Sequence, residues 1–556
     1  RAVLAVTPAH LPAPAGRREF ADRSWGLMTQ LYSVRSQRSW GIGDLADLTE
    51  LVSLSGDQGA DFLLVNPLHA AEPDTPMTPS PYLPATRRFI NPIYIRPEDI
   101  REAAYLPNTQ RTLLEWGLEE VSVLNTDAGP IDRDRVWQAK KPALETIFAT
   151  GRTRSRQQDL DRFRRAQGQG LEDFALWCAV HETYSTDSWP LTLDINAATL
   201  ARLRRDLAER IDFHCWLQWV ADAQLARAQH TARAAGMNIG VMHDLAVGVH
   251  PEGADSWALR DALARDITVG APPDMYNQQG QDWSQPPLRP DALAESGYAP
   301  VRDMVANVVR HAGALRVDHI MGFFRLWWIP RGSGAEAGTY VRYDHEAMIG
   351  VLALEAYRAG AVVIGEDLGT VEPWVRTYLQ DRGILGTSVL WFEQDATGPL
   401  PPQDYRSLVL ATVTTHDLPP TAGYLAEEHV DLRERLGLLT DSVAQVRLEA
   451  RQERAAVDAA LTRRRLLPDF PTERERVEAL HRYIAATPAI LIGVSLADAV
   501  GERRAQNQPG TDTEYPNWKV PLADGSETCV LIEDLPGNAR FVSLIGAITQ
   551  ELRSAR

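Results

Sequence analysis

The chain has 556 residues, 44% hydrophobic and 24% charged, which suits a globular protein with a large enclosed core. Its 57 basic and 74 acidic residues give a net charge of −17, which argues against nucleic acid or an anionic membrane as partner and fits an uncharged ligand. The three cysteines, Cys178, Cys215 and Cys529, are odd in number and lie at no metal-ligand spacing, so reduced thiols in a reducing compartment are expected.

No stretch approaches the ~20 apolar residues of a membrane span, and Arg1–His10 lack the regions of a signal peptide. A cytoplasmic location is the expectation. The first residues, "RAVLAVTP", read as the tail of a strand running into a linker. Residues 1–20 are therefore assigned as a linker or the remnant of an upstream domain, and 21–556 as the main unit.

Eight short apolar runs follow in chain order: Trp25–Leu31, Asp61–Val65, Asn238–His243, Gly313–Val317, Ala361–Gly365, Gly386–Trp391, Leu408–Val413 and Ala489–Val494. Most are continuous rather than alternating, as in parallel strands covered on both faces. Helical stretches with small turns separate them, so an α/β fold is predicted. A (β/α)8 barrel and an open doubly wound sheet both fit this pattern, and the G-x-G-x-x-G mark of the second is absent after the first run. Two intervals are too long for simple crossovers, about 95–236 and 424–486. Both read as largely helical insertions; in the second, Val443, Val446, Ala450, Val457 and Leu461 recur at helical spacing. The polar stretch Gly151–Gly170 reads as an exposed loop or helix edge.

In a barrel the chemistry gathers where strands end. The fourth run leads into Arg316-Val317-Asp318-His319, the fifth into Glu366-Asp367, the seventh into His416-Asp417. Each acid alone is also a good helix N-cap. Together they supply what retaining glycoside chemistry requires: a nucleophilic carboxylate, a proton donor roughly 5 Å away, and a third negative charge for a cationic transition state. The donor needs a raised pKa, and Asp367 or Asp318 is placed to raise that of Glu366. A metal site built from His243-Asp244, Asp318-His319 and His416-Asp417 is a second reading, but no His pair lies at i, i+4 beside a Glu, and none is assigned. No cofactor is expected.

Trp25, Trp40, Tyr82, Trp283, Trp327, Trp328, Trp374, Trp391 and Trp518 lie in or beside these loops, where aromatic rings can stack on the C–H faces of sugars. Core packing is expected for Trp391 and for one of Trp327 and Trp328. The segment 270–290, "GAPPDMYNQQGQDWSQPPLRP", is rich in Gly, Pro and amides and reads as an irregular lid or binding loop.

In combination, "WGLMTQLYSVRSQRSWGIGD", "NPLHA", "SPYLPATRRFINPIYI", "GAPPDMYNQQGQDW", "ALRVDHIMGFFRLWWIP", "GEDLGTV", "TTHDLPPTAGY" and "NQPGT" followed by "PNW" resemble the 4-α-glucanotransferases, also called amylomaltases or disproportionating enzymes, of the larger α-amylase group. The resemblance runs from about Trp25 to the C-terminal region. It implies a (β/α)8 barrel with helical insertions and retaining transfer between malto-oligosaccharides and α-1,4-glucans. By motif, Asp318 corresponds to the nucleophile, Glu366 to the general acid/base and Asp417 to the transition-state stabiliser. Arg316, His319 and His416 match residues that orient the nucleophile and hold sugar hydroxyls, and Tyr82 an aromatic beside the intermediate. Asp274, Gln281 and Trp283 fall on the acceptor-side loop, and Asn507 on a second loop lining the groove. One departure is Ser284 after Trp283, where many relatives have Gly. A hydrolase of the same group and a non-catalytic glucan-binding protein are the competing readings.

Overall fold

The computed structural model describes residues 4–184, 188–192, 195–273, 280–369, 371–395 and 398–554. Eight parallel strands form the centre: β1 (Ser24–Met28), β2 (Phe62–Leu64), β3 (Gly240–Leu245), β4 (Ala314–Val317), β5 (Val362–Gly365), β6 (Gly386–Val389), β7 (Val409–Thr412) and β8 (Leu491–Ser495). Each pairs with its neighbour in chain order, and β8 returns to β1. Between β5 and β6 the Gly365 N–H donates to Leu385 O at 2.8 Å and the Leu385 N–H to Val363 O at 2.9 Å, which closes the ring. The closed barrel, not the open sheet, is the fold.

Strand periodicity sorts the side chains into two sets. One set, including Phe62, Met242, Ala314, Ile364, Leu410 and Leu491, forms a buried cluster of its own. The alternate positions, among them Leu63, Val241, Leu315, Val363, Val409 and Ile492, join the cores shared with the helices. The first set fills the barrel axis. Its continuation toward the C-terminal ends is Asp244 on β3, Arg316 and Asp318 on β4, Glu366 on β5 and Thr412 on β7.

The first crossover helix, Leu45–Asp57, starts with a capping box in which Asp44 accepts the Ala46 and Asp47 N–H groups. Helices Ala208–Ala234, Ala299–Val308, His345–Ala359, Pro373–Asp381 and Glu473–Ala485 precede β3, β4, β5, β6 and β8, and Ala539–Ser554 follows β8. Between β6 and β7 the described residues hold only short 3-10 turns and a two-residue pairing.

A small hairpin (His69–Ala70 with Thr86–Ile90) precedes the first long interval, which holds helices Asn108–Ser122, Arg133–Ala149, Arg154–Thr183 and Ala197–Asp206 before the helix that leads into β3. The polar stretch 151–170 lies mostly in Arg154–Thr183, which breaks at Gly168 with φ 64°. In the second interval Val443–Arg463 is a helix that buries Val457, Ala460 and Leu461. Among the described residues no helix is long and apolar enough to cross a membrane, and Cys178, Cys215 and Cys529 are free thiols.

One expectation needs correction. The segment 270–290 is not wholly irregular: Ile267–Ala271 and Gln281–Gln285 are strands of a four-stranded antiparallel sheet completed by Arg325–Pro330 and Thr339–Arg342. This sheet arises because the apolar stretches ITVGA and RLWWIP pair with each other outside the barrel.

Candidate active site

Register places the first two charges. Asp244 and Arg316 are direct partners across β3 and β4. One Arg316 nitrogen donates to both oxygens of Asp244 at 2.8 Å, and the other to Asp318 at 3.0 Å. Asp244 is 3% exposed and Arg316 is buried, so the guanidinium is a fixed clamp between two carboxylates. Tyr82 donates its hydroxyl to the second oxygen of Asp244 at 2.7 Å.

Glu366 is held by backbone. The His319 N–H donates to one of its oxygens at 3.0 Å and the Leu368 N–H to the other at 2.6 Å. His319 takes the left-handed conformation (φ 47°, ψ 64°), uncommon for a residue with a side chain, and its N–H thereby faces β5. Gly365 has to lack a side chain here: a Cβ would lie 2.9 Å from Ile320, whose N–H donates to the Glu366 carbonyl at 3.0 Å. Asp367 turns away, is 1% exposed, and pairs with Arg406 at 2.5 Å and Arg376 at 3.3 Å.

Burial pushes the Glu366 carboxyl above the usual range; Arg316 and the two N–H groups pull back, and Asp367 adds to the rise. Burial also pushes Asp318 up, opposed by Arg316 and assisted by Asp244 and Glu366. Desolvation is thus the main cause for Glu366, with Asp367 a lesser one.

Asp417 is held differently. It follows β7 on a loop, and 51% of its side chain is exposed. His416 Nε2 lies 3.2 Å away and Asn507 Nδ2 donates at 2.9 Å. Burial works against both charges, but the pairing outweighs it: His416 is raised and Asp417 held far below the usual carboxylate range. His416 stacks on Tyr82 (centroids 4.7 Å apart, planes 19°), and Trp518 packs against both rings at 5.1 and 5.7 Å. Asp244, Arg316, Glu366 and His416 line a pocket of about 890 Å³, open solvent included, floored by Met28, Leu64 and Leu410.

The sequence model of the family described as 4-alpha-glucanotransferase matches residues 29–526. The chain is 53% identical to a 4-alpha-glucanotransferase of Mycobacterium tuberculosis, over 98% of this chain and 77% of the relative. It is 33% identical to one of Haemophilus influenzae, over 90% and 75%. The chain belongs to the 4-alpha-glucanotransferase family. Among solved structures it resembles an amylomaltase of Corynebacterium glutamicum (TM-score 0.91, 48% identity, 98% of this chain and 77% of that one). The fold also matches an amylomaltase of Streptococcus agalactiae in complex with acarbose (TM-score 0.75, 20% identity, 95% and 99%). The protein is a glycosyltransferase, and the transferase reading prevails over the hydrolase one.

The fold brings Tyr82, Arg316, Asp318, His319, Glu366, His416, Asp417 and Asn507 close together. Trp283 meets His319 edge-on at 5.5 Å and donates its indole N–H to Gln281 at 2.8 Å. Asp274 lies outside the described residues. Of the other aromatics, Trp25 and Trp40 are buried in the core, as is Trp391. Trp328 packs on the core beneath the antiparallel sheet, while Trp327 meets Tyr340 edge-on at 4.9 Å. Trp374 contacts Phe324 and His345.

Asp244 was missed as an organising residue, having been weighed only as a metal ligand. A lone carboxylate ending a fully buried strand was the available signal. Its oxygens are taken up by Arg316 and Tyr82. Among the described residues no three His, Cys, Asp or Glu side chains are placed to hold a metal ion. Gln285 was also missed: it is buried, and its amide donates to the Tyr82 carbonyl at 3.0 Å, tying the lid sheet to the site.

Proposed function

We propose that the transferase acts on malto-oligosaccharides and α-1,4-glucans by double displacement, with Asp318 as nucleophile, Glu366 as general acid/base and Asp417 as stabiliser of the cationic transition state. The observation that carries this division of labour is the Arg316 guanidinium. It bonds directly to Asp318 at 3.0 Å and makes no such bond to Glu366. Both carboxyls are raised by burial. We assign a proton shared by the two to Glu366, on the ground that the Arg316 guanidinium bonds directly to Asp318 and favours the anion there.

Glu366 gives this proton to the glycosidic oxygen as Asp318 attacks the anomeric carbon. The C1–O bond breaks, the departing chain leaves with its 4-hydroxyl, and a β-linked glucosyl ester forms. Glu366, now an anion, takes the proton from the 4-hydroxyl of the acceptor while that oxygen attacks C1. The ester bond breaks, Asp318 is restored, and the new bond is again α-1,4. Asp417, with its charge secured by His416 and Asn507, stabilises positive charge on the ring. Tyr82, Asp244 and Arg316 fix the direction of Asp318. Gln281 and Trp283, with Asp274 nearby in sequence, belong to the acceptor side. There they exclude water and hold the incoming hydroxyl in line.

We further assign residues 21–556 to one catalytic unit with two helical insertions, and a cytoplasmic location, for which three free thiols speak.

The experiment is incubation with maltotriose: transfer yields glucose and a ladder of longer chains. Glu366→Gln should abolish the ladder, and α-maltosyl fluoride, whose leaving group needs no proton, should restore formation of the ester but not turnover on sugar donors. Full disproportionation by Glu366→Gln would overturn the assignment.

A further inference from the structure

Two arms reach Asp417 from the segment between Ala505 and Trp518, and both start at Gln506. The first is Asn507, the next residue, whose amide donates to Asp417 at 2.9 Å. The second runs through Trp518. Its N–H donates to the Gln506 carbonyl at 2.8 Å, and its ring packs on Tyr82 and on His416, the partner of Asp417. Trp518 is left-handed at φ 62°, a conformation that a large side chain keeps only when its surroundings enforce it.

Gln506 is itself fixed by its side chain. It is 8% exposed and lines the pocket beneath the carboxylates. Its Oε1 accepts the Tyr32 hydroxyl at 3.0 Å and its Nε2 donates to Val520 O at 3.1 Å, the carbonyl that also accepts the Ser33 hydroxyl at 2.8 Å. The amide is therefore held at both its oxygen and its nitrogen, and it joins the loop after β1 to the loop after β8. Tyr32 is held in turn, fully buried with the Arg133 guanidinium 4.7 Å from its ring.

We infer that Gln506 is a positioning residue for Asp417, acting through Asn507 and Trp518. This rests on the stabilising role proposed above for Asp417.

The test is Gln506→Met, which keeps the volume and removes the side-chain bonds to Tyr32 and Val520. Maltotriose kcat should fall about ten- to hundredfold, the scale of a small misplacement at a reacting centre, with KM within about twofold. The fall should be equal on α-maltosyl fluoride, since fluoride departs without a proton and the loss lies at the stabiliser, not at Glu366. In an Asn507→Ala background the same substitution should add less than about threefold, as expected of residues acting through one another. Tyr32→Phe removes one bond to Gln506 and keeps the ring; it should give a smaller fall that vanishes in the Gln506→Met background. If Gln506→Met does not fold, Tyr32→Phe carries the same cycle with Asn507→Ala.

Unchanged kcat, recovery on the fluoride, or full multiplication of the losses with Asn507→Ala would each overturn the inference. Asp417→Asn separates the two readings: an active Asp417→Asn sinks the stabiliser role itself, whereas an inactive one beside a fully active Gln506→Met sinks only the positioning role.

Discussion

Asp318 and Glu366 differ from Asp417 in what holds them. The first two extend from adjacent strands of the barrel, and their supports are a guanidinium on the same strand and two backbone N–H groups. Asp417 sits on a loop with half its side chain exposed, and its supports are Asn507, 90 residues away on another loop, and its own neighbour His416. The pair proposed to make and break bonds is built into the sheet. The group proposed to steady the charge is assembled by loops, which would allow it to follow a sugar ring whose shape changes during the reaction.

The largest effect should come from the sheet-borne half. Asp318→Asn should lower kcat on the order of 10⁵-fold or more, and Glu366→Gln about 10²- to 10⁴-fold, both with glucan affinity retained in equilibrium dialysis. A loss of less than tenfold in either variant would erase the distinction between the halves.

Next is Asp244→Asn, with a kcat fall of about 10²-fold from misdirection of Asp318. Its pH profile carries a sign. The charge of Asp244 raises the Asp318 carboxyl, so its removal should move the acid limb of kcat/KM, below which the nucleophile is protonated, to lower pH. Glu366→Gln should remove the alkaline limb, because the raised carboxyl of Glu366 is the acid lost there. An acid limb unmoved in Asp244→Asn would count against this electrostatic account.

On the loop-borne side the effects should be smaller and redirect the outcome. Trp283→Ala removes the ring beside His319 and should raise the share of hydrolysis in maltotriose digests severalfold; an unchanged ratio of glucose to longer chains would remove the lid from the account. The smallest effect concerns Ser284, whose φ of 60° lies in the left-handed region that favours Gly. Ser284→Gly should shift stability by no more than about 1 kcal/mol, while Ser284→Val should cost about 1–3 kcal/mol. Thermal denaturation of the two variants reads the difference.

The barrel was legible because its strands are continuous apolar runs separated by helices, a local signal. Their ends were less so: the third run reads as Asn238–His243, and the strand is Gly240–Leu245, which moves Asp244 from a loop onto the sheet beside Arg316. The antiparallel sheet under the lid was not legible, because its strands pair across some 60 residues, and the Gly- and Pro-rich stretch between two of them hid both ends. The three carboxylates could be found from their place after strands. Gln285 and Gln506 could not, since a buried amide gains its meaning only from partners brought in by the fold.

The double grip of Arg316 has a further consequence. In the proposed cycle Asp244 and Asp318 start as anions, Arg316 as a cation and Glu366 with the proton; in the glucosyl ester Asp318 would be neutral and Glu366 the anion. The sum over these four groups is −1 at both stages. Arg316 keeps its counter-charge in Asp244 when Asp318 is esterified, so it has no cause to swing. One unit of negative charge is passed between neighbouring strands and back in each cycle without an ion entering or leaving, and the rate should therefore respond little to ionic strength.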